Sequence, residues 1–260
     1  LVVFAQAPDA CDRISVAPAE ALSLRIEGPR AEGLAADEDN LALRAAHLLQ
    51  PMNLKTGAHR GAAVTLVKNL PVASGIGGGS ADAAATLHCL RALWGIEIDD
   101  DALSRAALKL GADVPACLLG RAATMGGIGE QLHPVPPLPG FWLVLANPGV
   151  ALATMDVFAA LNGQFSTPQP FERRPDSAAD LAILLRARRN DLEAPARFLA
   201  PEIDPVLAAL KAQGGCLLAR LSGSGATCFG LFAAEREATV AARNLARAHP
   251  KWWVVATAAG

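Results

Sequence analysis

Residues 71–82, Pro-Val-Ala-Ser-Gly-Ile-Gly-Gly-Gly-Ser-Ala-Asp, put four glycines in five positions between an apolar run and a run of helix formers. The preceding AAVTLVKNLP (62–71) reads as a strand ended by proline, and SADAAATLHCLRALWG (80–95) as a helix closed by Gly95. A strand, a glycine turn and a helix N-terminus therefore follow one another. Gly75, Gly77, Gly78 and Gly79 lack a Cβ, so the backbone can take positive φ and turn its N–H groups toward one anion, where the helix dipole adds partial positive charge. The plainer alternative is a tight turn with Ser80 as helix N-cap. Two glycines would satisfy such a turn, and four flanked by Ser74 and Ser80 exceed it, so the stretch points to phosphate binding. Two familiar phosphate loops are excluded: no lysine lies between Lys68 and Arg91 to complete a P-loop, and Ser80 stands where a dinucleotide fingerprint needs Gly or Ala.

Around this stretch the chain has 260 residues, 52% hydrophobic and 18% charged, enough to bury one large core or two smaller ones. Cys11, Cys89, Cys117, Cys216 and Cys228 are scattered without a C-x-x-C pair, which argues against a zinc site or a disulfide framework and points to reducing, cytoplasmic surroundings. No apolar run approaches the ~18 residues of a membrane span, and a net charge of −2 gives no general field for nucleic acid. Strands are expected at 1–5, 13–17 and 21–27, then a helix near 39–50 capped by Asp37 or Asp39, and a helix at 101–110 stopped by Gly111. HPVPPLPG (133–140), with four prolines in eight residues, is the expected boundary between domains 1–136 and 137–260. The second half predicts a buried strand at 141–146, helices near 155–162, 177–188, 202–213 and 235–248, a strand–turn–strand at 217–232 and a closing strand at 252–257.

Three further segments carry candidate chemistry. In Gly111-Ala112-Asp113-Val114-Pro115 an acid sits between a helix-ending glycine and a proline suited to starting a new helix, so Asp113 is either a cap or a functional acid. Leu221-Ser222-Gly223-Ser224-Gly225-Ala226 lies between apolar strands and reads as a structural hairpin turn. Asn147-Pro148-Gly149-Val150 leads to a helix with Thr154 as its expected cap.

The order of these segments resembles the GHMP kinase superfamily, and within it the branch acting on a cytidine-diphosphate sugar alcohol. The residues that carry the resemblance are KNLPVASGIGGGSADAAATL (68–87), LGADVPACLLGRAATMGGIGEQLHPV (110–135), NPGVALATMDVF (147–158), Asn190-Asp191-Leu192 and LSGSGATCFGLF (221–232). The triple glycine before Ser80 sets the chain apart from homoserine and mevalonate kinases, whose loops usually read Gly-Leu-Gly-Ser-Ser. The resemblance implies an α+β, two-domain fold with a ribosomal-S5-like N-terminal domain and a ferredoxin-like C-terminal domain. It implies ATP held by Pro71, Val72, Ala73, Ser74, Gly75, Ile76, Gly77, Gly78, Gly79, Ser80 and Ala81, with Ser80 near Mg²⁺. Lys68 and Asn40 fall where the family builds its adenine and ribose pocket; the plainer readings are a strand-edge charge and a helix cap. Asp82 matches a position that is often Asn, and is expected to point at amides or solvent, away from a triphosphate. Asp113 corresponds to the catalytic aspartate, taking the proton of the acceptor hydroxyl, and Thr154 to a residue lining the substrate site. The family's first motif, Lys-x-Asn-Leu followed by Gly-Tyr-His, matches no residues here. Leu1 aligns just after it, the chain contains no tyrosine, and the expectation is that a segment before Leu1 is missing. Two other readings stand beside this one: a different GHMP kinase such as homoserine kinase, and a nucleotide-binding relative without turnover.

Overall fold

The computed structural model describes residues 2–3, 10–53, 61–167, 169, 171 and 173–259. Two compact units emerge, one mainly Cys11–Leu70 with Gly77–Pro134, the other Val135–Gly260 with Pro71–Ile76. The expected strand at 1–5 lies largely outside the described residues; within it, Val2 bridges Ala123.

In the first unit, β1 (Arg13–Ala19), β2 (Ser23–Glu27), α1 (Leu41–Asn53), β3 (Gly61–Val67) and α2 (Gly78–Leu93) come in that order. The strands form a mixed sheet, β1-β3-β2, with β1 antiparallel and β2 parallel to the central β3. Ala62, Val64 and Leu66, two residues apart, are buried on β3, the period-2 signature of a sheet with one covered face. Ala45, Ala46 and Leu49 of α1 and Ala83, Ala84, Leu87 and Leu90 of α2 join Ala62 and Val64 in one core. Small alanines on both helices let them lie close together. α3 (Asp100–Ala107), capped by Asp99 accepting from the Ala102 N–H at 2.6 Å, and α4 (Val114–Leu119) extend this core through Leu103, Ala107 and Val114. A hairpin of β4 (Ala123–Gly126) and β5 (Gln131–Pro134) completes the unit. That hairpin was not expected, because ATMG and QLHP lack the alternation that marks strands.

Of the boundaries that differ from the sequence reading, three belong to α1 and α2. The cap of α1 is Asn40, whose Oδ1 accepts from the Ala42 N–H at 3.0 Å, rather than Asp37 or Asp39. The helix also runs past residue 50 with Pro51 in its last turn, where the proline has no N–H to give the carbonyl four residues back. At α2 the N-cap is Gly77, with φ 69°, and Ser80 lies inside the first turn.

The second unit contains β6 (Phe141–Asn147), α5 (Thr154–Leu161), α6 (Ala178–Arg186), α7 (Glu193–Leu199), α8 (Ile203–Lys211), β7 (Leu218–Leu221), β8 (Cys228–Phe232), α9 (Glu235–Ala248) and β9 (Trp253–Ala259). Its four strands are all antiparallel, in the order β7-β8-β6-β9. With α8 between β6 and β7 and α9 between β8 and β9, this is a ferredoxin-like succession, carrying extra helices α5 to α7. β6 reads as an unbroken apolar run because both its faces are covered. Val144 and Ala146 join Val206, Leu210, Ala238, Ala241 and Leu245 of α8 and α9, and Phe141, Leu143 and Leu145 join Leu181 and Ala182 of α6. Helix α7 was not among the expected elements; its Pro195 falls in the first turn, where proline is tolerated.

Candidate active site

The candidate residues divide between the two units. In the first, Gly78, Gly79 and Ser80 form the opening turn of α2, and the first intrahelical bond is Ala81 N–H to Gly77 O at 2.9 Å. The N–H groups ahead of it have no carbonyl four residues back to bind, which leaves donors at the positive end of a 16-residue helix. Of the glycines expected to use positive φ, only Gly75 (φ 73°) and Gly77 (φ 69°) do so. Gly78 and Gly79 are helical, and a Cβ on Gly78 would meet only ordinary contacts, Leu70 Cδ1 and Lys68 Nζ at 3.5 Å.

Lys68 is no strand-edge charge. Its side chain is 5% exposed, and its Nζ lies 2.5 Å from Asp12 Oδ2 and 2.9 Å from Asp82 Oδ2. Asp12 also accepts, through Oδ1, the N–H groups of Asn69 at 2.6 Å and Leu70 at 2.9 Å. One ammonium thus faces two buried carboxylates. Burial alone would lower the lysine's pKa, but Asp82 and Asp12 outweigh it and hold the ammonium above its ordinary range. The second carboxylate is the uncompensated member: burial pushes Asp82 up to about 6, Lys68 pulls it back only in part, and Asp12 adds repulsion. Asp82 was expected to face amides or solvent; it faces Lys68, because a carboxylate this deeply placed needs a cation. Asp12 was not anticipated at all. It sits 56 residues from Lys68, and no local pattern marks such a pairing.

Asn40 is fully used locally, with Nδ2 donating to Ala35 O at 3.2 Å in addition to the cap bond. Asp113 is the residue before α4 and its side chain makes no capping hydrogen bond. Its carboxylate is exposed, so the cap alternative fails and the acid is available to another molecule. Four residues on, burial pushes the Cys117 thiol up to about 12, with Asp113 and Asp82 adding to the shift. That thiol stays protonated and is no nucleophile. The turn Gly127–Glu130 lies against the backbone beside Asp113: a Cβ on Gly129 (φ 107°) would come within 2.1 Å of Ala112 O.

In the second unit, Pro71–Ile76 pack on the loop joining β7 to β8. Ser74 Oγ donates to Pro71 O at 2.7 Å, Thr227 N–H to Ser74 O at 3.1 Å, and Ser222 Oγ to Gly75 O at 3.0 Å. A Cβ on Gly75 would stand 2.5 Å from Gly225 N, so only glycine fits. Val72 is exposed, and Ala73 takes φ 48° without being glycine. Thr154 is not the cap of α5, which is Ala153; its Oγ1 lies 2.9 Å from Ser224 Oγ. Asn147 donates to Thr227 Oγ1 at 2.9 Å and accepts from Gly149 N–H at 2.8 Å. The segment 221–226, expected to be a plain hairpin turn, thus carries Ser74 and Gly75.

Known proteins share both the sequence and the fold. The GHMP kinases N terminal domain matches residues 40–121 and the GHMP kinases C terminal domain residues 174–251. A 4-diphosphocytidyl-2-C-methyl-D-erythritol kinase of Cereibacter sphaeroides is 57% identical over 98% of this chain and 87% of its own length. One of Parvibaculum lavamentivorans is 54% identical over 100% and 89%. A crystal structure of 4-(cytidine 5'-diphospho)-2C-methyl-D-erythritol kinase superposes with a TM-score of 0.74 at 37% identity, covering 96% of this chain and 86% of that one. A glycine-led helix start and an uncapped, exposed acid thus occur in a sequence that matches these kinases almost end to end, and the chain belongs to the GHMP kinase family.

Proposed function

We propose that this chain transfers the γ-phosphoryl group of ATP to the 2-hydroxyl of 4-diphosphocytidyl-2-C-methyl-D-erythritol, a step toward isoprenoid precursors. The observation that carries this reading is the 57% identity to a kinase of that name across 87% of its length. The phosphates of ATP take the free N–H groups of Gly77 through Ser80, with Ala81 closing the first helical turn beneath them, where backbone donors and the helix dipole favour an anion. Pro71–Ile76 shape the rest of the loop. Lys68 and Asn40 serve the nucleoside side through the backbone they anchor, since their side chains are already engaged. Asp113 accepts a hydrogen bond from the acceptor hydroxyl and takes its proton as that oxygen bonds to the γ-phosphorus and the bond to ADP breaks. Thr154 and its partner Ser224 offer hydroxyls to the acceptor.

Among the described residues no group of three or more His, Cys, Asp or Glu could hold a metal. A Mg²⁺ held mostly by phosphate oxygens and water needs only one or two protein ligands, and the Ser80 hydroxyl suits that part. When bound, the ion offsets charge on the phosphates. We assign nucleotide handling to domain 1–136 and the ferredoxin-like sheet to 137–260, with Pro71–Ile76 built against the latter. The substrate is a small molecule, and we place the reaction in the cytoplasm: among the described residues no cysteine forms a disulfide and no helix is long and apolar enough to cross a membrane.

ADP release with a panel of acceptors tests the reading. Turnover with 4-diphosphocytidyl-2-C-methyl-D-erythritol and none with homoserine or mevalonate is the expected result. Preference for homoserine would move the chain to a neighbouring branch of the family, and silence toward every acceptor would leave a nucleotide-binding relative.

A further inference from the structure

Asn190 opens the triplet Asn190-Asp191-Leu192, to which no role has been attached so far. Its side-chain amide donates twice, to Gly223 O at 2.7 Å and to Leu221 O at 3.2 Å, while its Oδ1 accepts the Leu192 N–H at 3.1 Å. Three residues on, Glu193 Oε2 accepts the Leu221 N–H at 3.3 Å. Segment 190–193 therefore binds the backbone at the end of β7 from both sides, amide to carbonyls and carboxylate to N–H, as a neighbouring strand would. The backbone so held does not stop at a turn. Ser222, between the two gripped carbonyls, donates its hydroxyl to Gly75 O at 3.0 Å, and Gly223 approaches so closely that a Cβ there would lie 2.9 Å from the same oxygen.

We propose that Asn190 is a positioning residue for the nucleotide: by holding Leu221 and Gly223 it fixes the seat on which Gly75 of the glycine loop rests. This rests on the reading that residues 71–81 receive the phosphates of ATP. The chemistry required is donation. Leu221 O and Gly223 O can only accept, so the side chain at 190 must present N–H groups, and Asn does so from a short stem that also caps Leu192. Asparagine and aspartate are nearly the same size and both can accept from Leu192, yet aspartate would aim a carboxylate at two carbonyl oxygens. A donor role and a space-filling role therefore predict opposite orders of damage.

Steady-state kinetics of the full chain with Asn190→Asp, Asn190→Ala and Asn190→Gln, below the melting temperature of each, make the test. The KM for ATP should rise about tenfold in Asn190→Asp, the scale of losing one or two neutral hydrogen bonds. It should rise less in Asn190→Ala and least in Asn190→Gln, which keeps the donors, while the KM for the acceptor moves little. A native KM for ATP in Asn190→Asp, or damage in Asn190→Ala exceeding that in Asn190→Asp, would overturn the proposal. Should Asn190→Asp fail to fold, Asn190→Ala decides alone: an unchanged KM for ATP refutes positioning, and a raised one at unchanged acceptor KM supports it. Failure of the underlying reading is separate, since the unsubstituted chain would then bind no ATP in calorimetry.

Discussion

At the scale of single residues, Asp113 and Lys68 illustrate two fates for a charged side chain. Asp113 is exposed and uncapped, so its removal should cost chemistry and little else. Asp113→Asn should lower kcat by about 10² to 10⁴ and leave ATP binding nearly intact, as steady-state kinetics and calorimetry would show. A near-native kcat would remove it from the role of base. Lys68 is the reverse case. Replacing it with Met leaves Asp12 and Asp82 buried with no cation, so Lys68→Met should lose about 3–5 kcal/mol of stability in urea unfolding. Asp113 stood out in the sequence because a glycine, an acid and a proline lie within five positions, but that pattern left cap and functional acid equally open, and only the family resemblance offered the role of base. The sequence could not make Asp12 legible, since a buried pair 56 residues apart leaves no local trace. Asn40 and Thr154 were both offered as caps: Asn40 does cap α1, as one of its two readings had it and in place of Asp37 or Asp39, whereas Thr154 turns to Ser224 instead.

At the scale of elements, the glycine run divides into residues that need glycine for shape and residues that do not. Gly75 has positive φ and no room for a Cβ, whereas Gly78 is helical with only ordinary contacts. Gly75→Ala should therefore destabilise the protein by more than about 1 kcal/mol and weaken ATP, while Gly78→Ala should leave the melting temperature within error. Equal losses at both positions would contradict this division. Glycine count alone pointed to the loop, but not to which members carry strain, because φ depends on where the helix begins and Ser80 is not its cap. The apolar run at β6 and the amphipathic α8 and α9 were legible for the usual reason, a clear period. The β4–β5 hairpin and α7 were not, since one lacks alternation and the other hides a tolerated proline.

At the scale of the whole molecule, acid should act through surface carboxylates that folding keeps ionised. Arg173 pairs with Asp180 at 2.5 Å, and this contact, with the Asp176 N–H, holds its carboxyl at about 2 against an ordinary 3.8. The folded chain thus keeps Asp180 charged where the unfolded chain takes up a proton. The stability from this pair is present above about pH 4 and lost as the pH falls toward 2. Asp180→Asn should melt below the unsubstituted protein at pH 7, with the gap narrowing by pH 3; a gap independent of pH would show that the pair contributes nothing through charge. One arrangement has a temporal consequence. Gly75 is seated by Ser222, 147 residues later in the chain. At ribosomal speeds of about 5–20 residues per second, the glycine run waits on the order of ten seconds after synthesis before its partner exists. During that interval the first unit has its own sheet and helices to form, but residues 71–76 have nowhere to dock, and the nascent chain carries an unfinished nucleotide loop until its last third has emerged.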